Sequence, residues 1–164
     1  MFGRTELWIY LLTSRMVGNK LIQKLKTGAE EAGISSDRFQ ERLGVATVPR
    51  KAGRLVWLHT SDAVSALPLL GLIEQLNEQE LDLRFLVTTR KQEKVDELLD
   101  QLPVNTVHQY LPIDLDQPIQ AFLKYWAPDV AVISEGEFWP RFLTKLSKQR
   151  IPLIAINTRM SNKS

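Results

Sequence analysis

Two carboxylates, Glu135 and Glu137, flank Gly136 in the stretch Ile133-Ser134-Glu135-Gly136-Glu137-Phe138-Trp139-Pro140. A short apolar run, Val130 to Ile133, precedes them and reads as a buried strand, while Phe142, Leu143 and Leu146 follow at helical spacing. Acids at that handover stand at the carboxyl end of a strand, where open α/β sheets bind their ligands. The same acids would suit the first turn of a helix, where the dipole presents its positive end. A third carboxylate, Asp62, follows an earlier apolar run, and its place before Ala63 suits a helix N-cap. His59 and His108 have no partner at metal-ligand spacing and cysteine is absent, so neither a metal site nor thiol chemistry is expected.

The elements that would position these residues alternate regularly from Arg54 onward. Strands are expected over Leu55–Leu58, Leu83–Val87, Thr106–Leu111, Val130–Ile133 and Leu153–Ile156. Helical patterns run over Ala63–Leu76, from Val95 to Leu102, over Gln117–Trp126 with Asp116 as N-cap, and over Phe138–Gln149. Short apolar strands alternating with helices imply βαβ units. The fold class is therefore α/β: a Rossmann-like parallel sheet of about five strands with helices on both faces. The first strand lacks the Gly-x-Gly-x-x-Gly turn of dinucleotide sites, so no bound NAD, ATP or other cofactor is expected.

Residues 1–53 form a separate amino-terminal helical segment and connector, and residues 54–164 the Rossmann-like domain. Leu7 to Leu12 begin an apolar pattern that Met16, Val17, Leu21, Ile22 and Leu25 continue at helical spacing. Arg15, Asn19 and Lys20 interrupt it well short of the ~20 apolar residues a membrane span needs. The expectation is an amphipathic helix with Arg4, Arg15, Lys20, Lys24 and Lys26 on its polar side and Trp8 and Tyr10 near its start. Such a helix suits either the surface of an anionic membrane or a face of its own domain. Thr27 to Ser36 read as a loop, and Asp37 as the cap of a short helix ending at Gly44. A net charge of +2, without a basic tract interleaved with aromatics, excludes a nucleic-acid binder. With 44% hydrophobic and 24% charged residues, the chain has the composition of one globular domain.

Five motifs, in order, resemble the amino-terminal, acceptor-binding domain of the 3-deoxy-D-manno-octulosonic acid (Kdo) transferases. They are Glu41-Arg42-Leu43-Gly44; Leu55-Val56-Trp57-Leu58-His59; Tyr110-Leu111-Pro112 with Asp114; Glu135-Gly136-Glu137-Phe138-Trp139-Pro140; and Asn157-Thr158-Arg159-Met160-Ser161 with Ser164. The resemblance runs from about Phe39 to Ser164. It implies half of a two-domain GT-B glycosyltransferase that moves Kdo from CMP-Kdo to a lipid A precursor at the cytoplasmic face of the inner membrane. A cytoplasmic protein with possible peripheral membrane contact follows from it.

By that resemblance Glu135 orients the acceptor or stabilises the transition state, and His59, Ser61, Thr88, Asn157 and Arg159 line the acceptor site. The family follows its histidine with Ser-Val-Gly-Glu, whose glutamate serves as general base. Here the turn is about three residues shorter, and in a catalytic chain Asp62, the nearest carboxylate, would have to serve as the base. A second loop is trimmed too: Val87-Thr88-Thr89 runs straight into Arg90-Lys91, where the family has Thr-Pro-Thr-Gly. The donor nucleotide binds mainly to the family's carboxyl-terminal domain. Turnover is therefore expected only with a donor domain on a separate chain. The alternative is a non-catalytic glycolipid- or membrane-binding module.

Overall fold

Every side chain of the first strand after Arg54, from Leu55 to Thr60, is buried. A strand covered on both faces belongs in the middle of a parallel sheet. A computed structural model describes residues 20, 22–31, 33–79, 82–134 and 139–157. Within them lie five parallel strands: β1 (Arg54–Thr60), β2 (Leu83–Thr89), β3 (Thr106–Tyr110), β4 (Val130–Ser134) and β5 (Leu153–Ile156). Their order is β3-β2-β1-β4-β5, with β1 at the centre. The helices are α1 (22–31), α2 (Ser36–Arg42), α3 (Ala63–Gln79), α4 (Val95–Leu99), α5 (Asp116–Trp126) and α6 (Pro140–Lys148). The expected Rossmann-like α/β architecture, preceded by a helix, is present.

The strand order fixes which helix covers which face. From β1 the chain steps outward to β2 and β3, then returns past β1 to β4 and β5. Right-handed crossovers in opposite directions put their helices on opposite faces. Accordingly Leu58, Phe85 and Val87 pack with Ala66, Leu69 and Ile73 of α3 and Leu98 of α4. On the other face Leu55, Trp57 and Leu86 pack with Ile119, Phe122 and Trp126 of α5 and Phe142 of α6. Trp57 anchors this second layer, with its ring centroid 5.0 Å from Phe122 and 5.5 Å from Phe142.

At the outer edge of β3, α2 seals the sheet. Glu41 is fully buried, and its carboxylate accepts the Tyr110 N–H at 2.8 Å and an Arg38 N–H at 2.7 Å, with the Thr47 hydroxyl as a third donor. Arg42 donates to the Leu111 carbonyl at 3.1 Å and accepts, through its own carbonyl, the Ile113 N–H at 2.9 Å. Gly44 then turns the chain at φ +83, where a Cβ would sit 2.1 Å from the Pro118 carbonyl oxygen. Only glycine fits there.

Three local expectations are corrected. Residues 27–31, read as loop, are helical and belong to α1. Ala29 is buried, its carbonyl accepts the Ile34 N–H, and Gly33 turns the chain beyond the helix at φ +70. Ser35 rather than Asp37 caps α2, its Oγ accepting from the Arg38 N–H. Asp116 is the first helical residue of α5 rather than its cap. Its carboxylate instead bonds Arg141 at 2.6 Å and Lys145 at 3.3 Å, tying α5 to α6. The amphipathic pattern before residue 20, including Trp8 and Tyr10, lies outside the described residues. Among the described residues no helix is long and apolar enough to cross a membrane.

Glu41→Ala should lower the stability by about 3–5 kcal/mol, because it strands a buried strand N–H and an arginine together. Urea denaturation would show this as a fall in the midpoint. The exposed control Glu74→Ala should stay within ~0.5 kcal/mol of the parent.

Candidate functional site

The carboxyl ends of β1 and β2 bring His59 and Thr88 into direct register. On the other side of β1, His59 pairs in register with Ile133, two residues before Glu135. The strand order reverses between β1 and β4, which makes this edge the topological switch point of the sheet. Ser61 follows β1, and its carbonyl accepts the backbone N–H groups of Arg90 (3.1 Å) and Lys91 (2.9 Å), so the turns after β1 and β2 are joined. Asn157 follows β5 with φ +51. Glu135 and Arg159 lie outside the described residues. Glu135 is next in sequence to Ser134, the last residue of β4.

His59 and Thr88 are buried beneath this edge rather than open to it, at 1% and 0% exposure. The imidazole Nδ1 lies 3.0 Å from the Thr88 hydroxyl and 3.1 Å from its carbonyl oxygen. The indole N–H of Trp57 donates to the same hydroxyl at 2.8 Å. His59 Nε2 is buried and has no hydrogen-bond partner among the described residues. Burial, reinforced by the nearby Arg90 and Arg42 cations, pushes this histidine down to about 4, so it is neutral at neutral pH.

Asp62 caps α3. One carboxylate oxygen accepts the Ser65 N–H at 2.9 Å, and the other accepts from the Ser61 hydroxyl and the Lys91 ammonium, each at 3.2 Å. The helix N–H, followed by the Ser65, Lys91 and Ser61 side chains, holds the carboxyl down at about 2. A general base works best with a pKa near the operating pH, so a carboxylate held this low takes up a proton poorly.

A second cluster went unassigned in the sequence. Arg38 and Arg42 lie over the Tyr110 ring at 4.3 and 4.5 Å. Arg38 also donates to His108 Nδ1 at 2.8 Å. The Thr89 hydroxyl gives its hydrogen to the Lys91 carbonyl at 3.0 Å and so accepts from His108 Nε2, also at 3.0 Å. These contacts fix His108 as the neutral Nε2–H tautomer. Burial, then Arg38 and Arg42, pushes it down to about 3. Desolvation lowers the Arg42 guanidinium to about 10, which still leaves it charged. The edge over β1–β3 is therefore electropositive. Arg42 and Tyr110 stand inside motifs visible in the sequence, but nothing local there shows that they meet. No group of metal-ligating side chains occurs among the described residues.

A Rossmann-like domain with joined turns after β1 and β2 and cationic side chains over β2 and β3 belongs to a broad class of ligand-binding α/β domains. The family is narrower. The family model of 3-deoxy-D-manno-octulosonic-acid transferase (kdotransferase) matches residues 37–164. The chain belongs to this family and corresponds to its amino-terminal domain. It is 35% identical over 127 residues to a probable mitochondrial 3-deoxy-D-manno-octulosonic acid transferase of Arabidopsis thaliana, covering 77% of this chain and 28% of that protein. The 3-deoxy-D-manno-octulosonic acid transferase of Rickettsia bellii is 32% identical over 77% of this chain and 30% of its own length. The Haemophilus influenzae transferase is 25% identical over 80% and 32%. The chain thus spans about three-tenths of the length of these curated relatives.

The buried neutral histidines set a pH dependence. Both sit below their ordinary value of 6.5 in the folded chain, so below pH 6.5 the unfolded chain takes up more protons. Stability should then hold above about pH 7 and fall as the pH drops from about 6.5 toward 4. Asp62 adds a further loss between its ordinary 3.8 and about 2. Urea midpoints measured at stepped pH test this, and His108→Gln should flatten the upper part of the fall.

Proposed function

We propose that this chain is the acceptor-binding part of a Kdo-transferase-like glycosyltransferase, acting together with a donor domain. The observation that carries the reading is Glu135 in its Glu-Gly-Glu-Phe-Trp-Pro setting, immediately after β4 at the switch point of the sheet. In the reaction an acceptor hydroxyl oxygen bonds to the anomeric carbon of Kdo, the bond from that carbon to CMP breaks, and the hydroxyl proton passes to a base. Glu135 orients the hydroxyl or offsets positive charge developing at the anomeric carbon. Arg42, Arg90 and Lys91 give the edge a charge suited to the phosphates of a lipid A precursor. Ser61, Asn157 and Arg159 line or brace the acceptor site, while His59 and Thr88 support it from beneath. The segment before α1 supplies peripheral contact with the cytoplasmic face of the inner membrane.

Mixing the chain with CMP-Kdo, a lipid A precursor and a family donor domain should yield the Kdo adduct by mass spectrometry. Glu135→Ala should remove that product. Absence of product with every donor domain tried would sink the enzymatic reading. Asp62 favours a second one: its carboxylate is engaged as a cap and ion pair, as in a module that binds the glycolipid without catalysis. That module would bind vesicles carrying the lipid A precursor, with or without CMP-Kdo. A chain that fails to associate with such vesicles excludes it.

A further inference from the structure

The cations over β2 and β3 are not matched alike. Arg38 pairs with Glu41 at 2.7 Å and Lys91 with Asp62 at 3.2 Å. Arg42 has no carboxylate partner among the described residues. Its half-buried guanidinium donates to the carbonyls of Leu111 and Arg90 and lies over the Tyr110 ring at 4.5 Å. Glu41, its neighbour in sequence, is fully buried and engaged by Tyr110, Arg38 and Thr47. Burial, and then the like charges of Arg38 and Arg90, lower Arg42 to about 10. Stitching α2 to the sheet requires only N–H donors, which a neutral amide would supply without the cost of an unmatched charge. The charge itself is left to be explained.

We infer that Arg42 is an anion-binding residue whose ligand is a phosphate, free or as the monoester of a glycolipid headgroup, seated where α2 meets the ends of β2 and β3. The two carbonyls use two of the five N–H groups of the fork, and no other acceptor meets it among the described residues. The remaining groups are those with which arginine grips two phosphate oxygens at once. A bound phosphate also supplies the missing counter-charge. The position carries a distance constraint. Arg42 bridges the carbonyls just past β2 and β3, whereas the crevice opens between β1 and β4. Two strand spacings, roughly 10 Å, separate them. A ligand filling both places must carry its phosphate about that far from the group it presents at the crevice. A phosphate on the atom next to that group would not reach Arg42. The anion site stands on this geometry; taking its ligand as the acceptor of a glycosyl transfer rests on the reading above.

The test uses the full chain with inorganic phosphate, and with vesicles carrying a lipid A precursor or the same precursor stripped of its phosphates. Phosphate should raise the urea midpoint saturably, beyond potassium chloride at the same ionic strength. Arg42→Lys keeps the charge but loses the fork, and should weaken phosphate binding by about tenfold or more. Arg84→Lys, at the opposite end of β2, should bind as the parent does. Stripping the precursor should weaken vesicle binding by the parent about tenfold and by Arg42→Lys much less, as coupled groups require. In the parent itself, the Arg42 Nε–H and Tyr110 ring resonances should move with phosphate, a readout that holds even where the variant fails to fold. Phosphate acting no more than chloride overturns the inference. So does equal affinity in a folded Arg42→Lys, or resonance changes that leave Arg42 and Tyr110 unmoved. Phosphate binding at Arg42 with no preference between the two vesicles keeps the site for free phosphate and overturns the headgroup. Kdo transfer is scored separately: phosphate binding at Arg42 without product leaves the site standing and removes the enzymatic reading. Transfer by a chain that ignores phosphate does the reverse.

Discussion

A parallel sheet cannot leave either face to water, because its strands are apolar on both sides, and this constraint organises the whole domain. It forces the chain to reverse direction after β3, so that α3 and α4 cover one face and α5 and α6 the other. The reversal opens a crevice between the ends of β1 and β4. The same constraint makes Trp57, beneath α5, and Trp126, on α5, structural: each buries its ring in the same layer and satisfies its indole N–H on a strand side chain, Thr88 and Gln109 respectively. Polar residues at the carboxyl ends of β1–β3 are thereby drawn into the framework that supports the crevice.

The support is electrostatic as well as steric. Glu41 offsets the charge of Arg38, and the Tyr110 ring, with both Arg38 and Arg42 over it, lowers the cost of holding these cations there. Burial, reinforced by the cations on this edge, keeps both histidines neutral. A neutral His108 can accept from Arg38 and donate to Thr89 at once, which a protonated ring could not do. The α2 docking and the neutral histidine therefore depend on each other.

Much of this was legible in the sequence because it was local. The strand positions and the helices between them follow from periodicity, and Leu153–Ile156 was located to the residue. The motifs located the family. What could not be read was where side chains separated by tens of residues would meet. Asp116 looked like a cap because aspartate before a helix usually is one, but two cations of α6 were a stronger attraction than its own helix end. Thr27–Glu31 looked like loop because Gly28 and Gly33 bracket it. The burial of Ala29 outweighed the cost of a helical glycine. Glu41, Arg42 and Tyr110 were visible as motif letters, yet their shared role exists only once α2 lies against β3.

Asp62 has a consequence for which molecules this fold can admit. The first turn of a helix after the central strand is where many α/β proteins receive a phosphate, since free N–H groups and the dipole converge there. In this chain that seat is taken by its own carboxylate, with Ser65, Ser61 and Lys91 as the hosts. An incoming phosphate would have to evict a tethered anion of its own sign. The turn thus holds its own carboxylate at the place where other α/β proteins seat a phosphate.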